Sequence, residues 1–155
     1  PRRPGTPESG CMESVWLGHA PRIALLHSPA FPRPATHNEL EGLIAGLSRD
    51  LAFGYGAAAL SCQYYRTPSG EVLQENLALH QLAIAVAALP DAQLDIALQA
   101  PGDYLLEGRM QVLEKKLRNW GLAEDRFRLR PFRKRDRKES WPGVNRDRDV
   151  FIRLR

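Results

Sequence analysis

Two cysteines, Cys11 and Cys62, and four histidines, His19, His27, His37 and His80, are the side chains of this sequence best suited to chemistry. Their spacing supports little of it. The cysteines lie too far apart to form a CxxC pair, and the histidines show none of the short ligand spacings of a zinc site. Ser61-Cys62 has no histidine nearby and no nucleophile elbow around it, so acyl transfer lacks its nucleophile–base pair. No glycine-rich loop is placed to cradle a phosphate. The reading is a chain that is not an enzyme, with no metal and no cofactor. The two cysteines do permit one disulfide, between a Pro/Gly-rich arm and an inward-facing strand position. The alternative is that Cys62 is a buried core thiol.

Charge is the second chemical resource, and it is unevenly spread. Residues 1–108 hold six Lys/Arg against eleven Asp/Glu, a net of −5, whereas residues 109–155 hold sixteen against seven, a net of +9. A basic C-terminal third suits either a polyanionic partner or a solvated loop. The candidate basic surface is Arg128, Arg130, Arg133, Lys134 and Arg135. Trp141, in Glu139-Ser140-Trp141-Pro142-Gly143 beside that loop, could anchor a partner or cover the sheet edge. No apolar run approaches the roughly 20 residues that span a bilayer. The opening PRRPGTPESGC has no apolar signal-peptide core, so an export signal is expected to be either absent or already removed.

The elements that must hold these residues follow from periodicity. Residues 1–20 read as an extended arm and Arg22–Leu26 as a short strand. Three prolines within Pro29–Pro34 exclude helix and central strand. Thr36 and Glu39 form a capping box that opens a helix with Leu40, Leu43, Ile44, Leu47 and Leu51 on its apolar face. Phe53–Gly56 supplies a turn, and the alternation of Ala58, Leu60, Cys62 and Tyr64 predicts a strand. Thr67–Gly70 is a turn, and Glu71–Leu89 reads as one long helix ended by Pro90. A strand over Ala92–Leu98 follows. Leu106, Met110, Leu113, Leu117 and Trp120 then make a helical stripe that Gly121 terminates. Phe127 and Leu129 alternate with Arg126, Arg128 and Arg130, a strand with one buried and one basic face. Arg133–Lys138 reads as a solvated basic loop, and Val150, Ile152 and Leu154 mark the last strand. The order β-α-β-α-β-α-β-β predicts an α/β sandwich, helices packed on a mixed parallel/antiparallel sheet.

The segment LLEGRMQVLEKKLRNWGL, with Arg109, Leu113, Leu117 and Gly121 at steps of four, precedes a strand, a basic loop and Asn145-Arg146-Asp147-Arg148-Asp149-Val150-Phe151-Ile152. This order resembles the C-terminal half of the OmpA-like, peptidoglycan-associating domain family, whose pattern runs N-x-x-L-S-x-x-R-A-x-x-V-x-x-x-L-x-x-x-G-I and closes on N-R-R-V-E-I. The resemblance covers residues 57–155 and implies a divergent OmpA-like domain there. Residues 1–56 then form an N-terminal docking extension of arm, short strand and helix. In the family, the Asp of a G-H-T-D turn and the Arg of L-S-x-x-R-A clamp the ammonium and carboxylate of diaminopimelate. The resemblance places that Arg at Arg109. The acid is missing, because the equivalent segment reads Leu98-Gln99-Ala100-Pro101, and Asp103 and Glu107 are the nearest substitutes. The family's Asn and Ser stand here as Gly102 and Leu106.

The resemblance implies a non-catalytic scaffold or binding module of a bacterial cell-envelope machine: a flagellar motor, a secretion complex or a conjugation complex. Its location would be the periplasm, with outer-membrane association, and its partners other envelope-complex proteins. Such an oxidising compartment favours the Cys11–Cys62 bond. The alternative is a genuine peptidoglycan binder using Arg109 and Asp103. A nucleic-acid binder working through the basic C-terminal face is the third reading, and no recognised nucleic-acid motif supports it.

Overall fold

The computed structural model describes residues 10–12, 26–27 (backbone only), 29–143 and 149–155. The expected arm over residues 1–20, apart from residues 10–12, lies outside them. So do Trp16, His19 and Asn145–Arg148. Of the strand expected over Arg22–Leu26 only Leu26 is described, and it begins β1, Leu26–His27.

Helix α1, His37–Leu47, starts where the capping box places it. Thr36 accepts a hydrogen bond from the Glu39 amide, and the Glu39 carboxylate reaches back to the amide of Ala35 at 2.6 Å. Leu40, Ile44 and Leu47 are its buried face. Strand β2 is Gln63–Arg66, shorter than the Ala58–Tyr64 alternation suggests. Leu60 instead bridges two short segments, pairing in parallel with Cys11 and antiparallel with Phe53.

The helix expected over Glu71–Leu89 is corrected by the structure. Its first part is strand β3, Val72–Glu75, antiparallel to β2, and only Leu77–Ala87 is helical, as α2. Asn76 makes the break. Its side-chain oxygen accepts from the Leu79 amide while its Nδ2 donates to the carbonyls of Asp50 and Ser61. An N-cap so satisfied starts a helix at the next residue, whatever the propensity upstream.

Strand β4, Leu94–Leu98, is buried along its whole length, with Leu94, Ile96 and Leu98 in the helix-side core. Helix α3, Asp103–Asn119, follows. Gly121, at φ +92°, ends it in a Schellman turn: its own amide donates to Arg118 and that of Leu122 to Leu117. Strand β5, Phe127–Pro131, runs parallel to β4, and β6, Val150–Leu154, runs antiparallel on its other side. The result is an α+β fold with two three-stranded sheets, ordered β1-β2-β3 and β5-β4-β6. Both mix parallel and antiparallel pairs.

One core unites the described chain. Leu40 and Ile44 of α1, Leu79 and Leu82 of α2, and Leu113 and Leu117 of α3 pack with Leu94, Ile96 and Ile152 of the sheet. Truncating one such leucine to alanine costs about 2–5 kcal/mol. Residues on both sides of position 57 share this core, so the division between 1–56 and 57–155 marks the extent of the resemblance and no break in packing. None of the described helices is long and apolar enough to cross a membrane.

Candidate functional site

The Arg109 side chain is 2% exposed and points between three segments of the chain. Its Nε donates to the carbonyl of Ala57 at 3.0 Å, one terminal nitrogen to Gly54 at 3.2 Å, and the other to Gln99 at 3.3 Å. The carboxylate of Asp149 stands 3.5 Å away, and the guanidinium carbon lies 4.9 Å from the centre of the Phe53 ring. Arg109 therefore ties the 53–57 loop, the end of β4 and the approach to β6 to helix α3. Among the described residues it makes no ion pair with Asp103 or Glu107. Asp103 is exposed at the first turn of α3, on another face of the helix, and its carboxylate has no polar partner among the described residues.

A side-chain carbon on Gly54 would stand 2.1 Å from the Met12 sulfur, so a larger residue there would have to push the Met12 side chain aside. Chemically, the guanidinium donates to three backbone carbonyls and faces one carboxylate at ion-pair distance. It is built as a clamp on the chain itself.

Cys11 and Cys62 form the expected disulfide, with Cα atoms 5.7 Å apart, which makes the buried-thiol alternative incorrect. The bond holds the 10–12 segment beside Leu60, where the Met12 amide donates to the Leu60 carbonyl and the Leu60 amide to the Gly10 carbonyl. Gly10, at φ +70°, lies against the Lys116 and Val112 side chains of α3.

The basic residues divide into two sets. Arg130 is turned inward, its side chain 11% exposed, and bridges two buried carboxylates. It grips Asp136 with bonds of 2.7 and 3.0 Å and Asp95 with bonds of 2.9 and 3.0 Å. Arg153 and Arg128 also reach Asp95, at 3.1 and 3.4 Å. Trp141 covers the group: its ring lies 4.0 Å from the Arg153 guanidinium carbon, and its Nε1 donates to the Asp136 carbonyl. The hydrogen bond from Arg130 holds the Asp136 carboxyl down at about 2 against the opposing effect of burial. Burial would raise the Asp95 carboxyl, and the hydrogen bonds and charges of Arg130, Arg153 and Arg128 outweigh it to hold that group low as well.

Residues 133–138 are thus not a plain solvated loop. Lys134–Lys138 form a 3-10 helix fastened from below by Asp136, the one acid in the run. Arg133, Lys134, Arg135, Arg137 and Lys138 remain exposed on it, and Arg128 is half exposed beside it. Arg126 is also committed, donating to the carbonyls of Ala92, Val86 and Leu89.

A second arrangement had no visible signal in sequence. His80 stacks on Trp120 with ring centres 4.5 Å apart, meets the Phe31 ring edge-on, and shares a 3.2 Å hydrogen bond with the Tyr65 hydroxyl. Beside it Lys116, 6% exposed, is paired with Glu75 at 2.7 Å. Burial, helped by the Lys116 charge, lowers the His80 pKa from its ordinary value. Trp120 thus packs as the stripe predicts. Among the described residues no group of three or more histidines, cysteines, aspartates and glutamates is placed to hold a metal ion.

No known family model matches this chain, and no curated protein matches its sequence.

Proposed function

We propose that this protein is a non-catalytic scaffold or binding module of a bacterial cell-envelope machine, acting in the periplasm, with an OmpA-like ancestry and a wall-binding site converted to structural use. The observation that carries this reading is the environment of Arg109. The arginine that the resemblance assigns to diaminopimelate is buried and engaged by three backbone carbonyls and Asp149. Asp103, the substitute for the missing acid, lies on another face of α3. A zwitterionic ligand end needs a cation and an anion facing one space, and these two groups do not offer that. The strand–helix–strand–helix–strand–strand order of β3 to β6 and the Cys11–Cys62 bond also support the reading, the latter because disulfides persist in oxidising compartments.

The test is co-sedimentation with purified sacculi. A pure protein scaffold stays in the supernatant. Sedimentation that is abolished in a folded Asp103→Ala protein would instead support the wall-binding reading.

One observation favours a second reading. Five exposed cations on the Arg133–Lys138 segment, held rigid by Asp136, suit a polyanion. Fluorescence anisotropy with a nucleic acid at low salt tests it: binding that weakens steeply with salt and is lost when Lys134 and Arg135 become alanine would support it.

A further inference from the structure

Helix α3 has a face that the Arg109 clamp does not use and that is only partly covered where it borders the core. Along it, Asp103, Glu107, Met110 and Glu114 recur at helical spacing, and β5 forms the opposite wall of an open groove of about 610 Å³. The floor is apolar: Leu106 and Met110 from the helix, Phe127 and Leu129 from the strand, with Pro131 at one end. The rim is acidic, carrying Asp103, Glu107, Glu114 and Glu124. The stretch from Asp103 to Glu114 spans about 16 Å at 1.5 Å per residue, three helical turns.

The groove already shows how it receives a cation. Arg118 stands 3.1 Å from Glu124 and 3.7 Å from Glu114, so one end of the rim has a guanidinium seated on it. At the other end Asp103 has no polar partner among the described residues, and Glu107 accepts only a 3.5 Å bond from Gln111. The groove is thus half neutralised from within, with two carboxylates above an apolar floor left open. This local sign opposes that of the whole chain, which carries a net charge of +4. A cationic partner is repelled by the molecule at large and attracted here, which confines it to this place.

We propose that this groove docks a cationic amphipathic peptide segment of a partner protein. Its apolar side chains would lie on Leu106, Met110, Phe127 and Leu129, and its Lys or Arg would pair with Asp103 and Glu107. Methionine in the floor suits such a role, because its unbranched side chain adapts to different apolar shapes. The site gives the scaffold reading a partner chemistry. It shares Asp103 with the wall-binding alternative, but it is read with a leucine–lysine peptide and not with sacculi or a stem peptide, so the failure of either is seen separately.

The experiment is an NMR and anisotropy titration of the full chain with a labelled amphipathic peptide of about 14 residues built from leucine and lysine. Amide shifts should concentrate at residues 103–114 and 124–131. The Asp103→Lys/Glu107→Lys variant, altered at two exposed positions, should bind at least about tenfold more weakly with an unchanged circular-dichroism spectrum. Lys134→Ala/Arg135→Ala should bind as the parent does. The same peptide with glutamate in place of lysine should not bind. Shifts scattered over other surfaces, or equal affinity for the charge-reversed variant, would overturn the proposal. So would a concentration-dependent dimer dissolved by those two substitutions, which would give the groove to a second copy of this chain.

Discussion

Arg130 and Asp136 are joined by two near-parallel hydrogen bonds, Nη1 to Oδ2 at 2.7 Å and Nη2 to Oδ1 at 3.0 Å, beneath a surface otherwise crowded with cations. The same guanidinium holds Asp95 on β4, so a basic surface segment is anchored to the middle strand of the sheet. Removing one member of a buried pair leaves an uncompensated charge, at about 3–5 kcal/mol. Asp136→Asn should cost somewhat less, about 2–3 kcal/mol, because Arg130 keeps Asp95. Urea unfolding of the variant measures this. A loss below about 0.5 kcal/mol would show that the anchor is ornamental.

Acid should unfold the protein in two stages. Asp136 and Asp95 are held below their ordinary values, so their contribution is complete above about pH 4 and is lost as pH falls through the folded values, about 2 for Asp136. His80 acts earlier. Its folded value lies below 6.5, so the unfolded chain takes up the proton first and stability declines as pH drops from about 6.5. His80→Phe keeps a ring against Trp120 and removes the titration. Urea midpoints measured between pH 7 and 5 should therefore fall less steeply in the variant, and an unchanged slope would contradict the assignment.

The disulfide should matter to folding as a tether. Closing a loop of 51 residues stabilises by about 4 kcal/mol in the chain-entropy model. Thiol labelling of unreduced, denatured protein should find no reactive cysteine. The doubly substituted Cys11→Ser/Cys62→Ser chain should lose several kcal/mol, and retention of full stability would show that the bond constrains nothing.

What was legible in sequence was whatever local chemistry decides. Thr36 and Glu39 cap α1 because a capping box acts within four residues, and Gly121 ends α3 because only glycine adopts that φ readily. Asn76 looked like one residue of a continuous helix, since its partners Asp50 and Ser61 are distant in sequence. The resemblance picks out Arg109, but its burial depends on carbonyls of Gly54 and Ala57 that no helical spacing discloses. Asp136 is the clearest miss. A lone acid in a basic run signals a buried partner only once Arg130 is seen to point inward.

Arg109→Lys tests the clamp without deleting the charge. A single ammonium cannot reach the carbonyls of Gly54, Ala57 and Gln99 together, so two buried acceptors lose their donor. The expected loss is about 2–4 kcal/mol by urea unfolding. A stable Arg109→Lys protein would mean that the guanidinium is not needed for folding and is free for a ligand.

Calorimetry with a diaminopimelate-containing stem peptide tests the central claim most directly. With Arg109 consumed by the fold and the one acid beside it, Asp149, already paired to it, the peptide's ammonium has no partner, at a cost above about 1 kcal/mol on desolvation. The prediction is no binding below millimolar concentration. Micromolar affinity that disappears in Asp103→Ala would contradict the account and make this chain a wall binder.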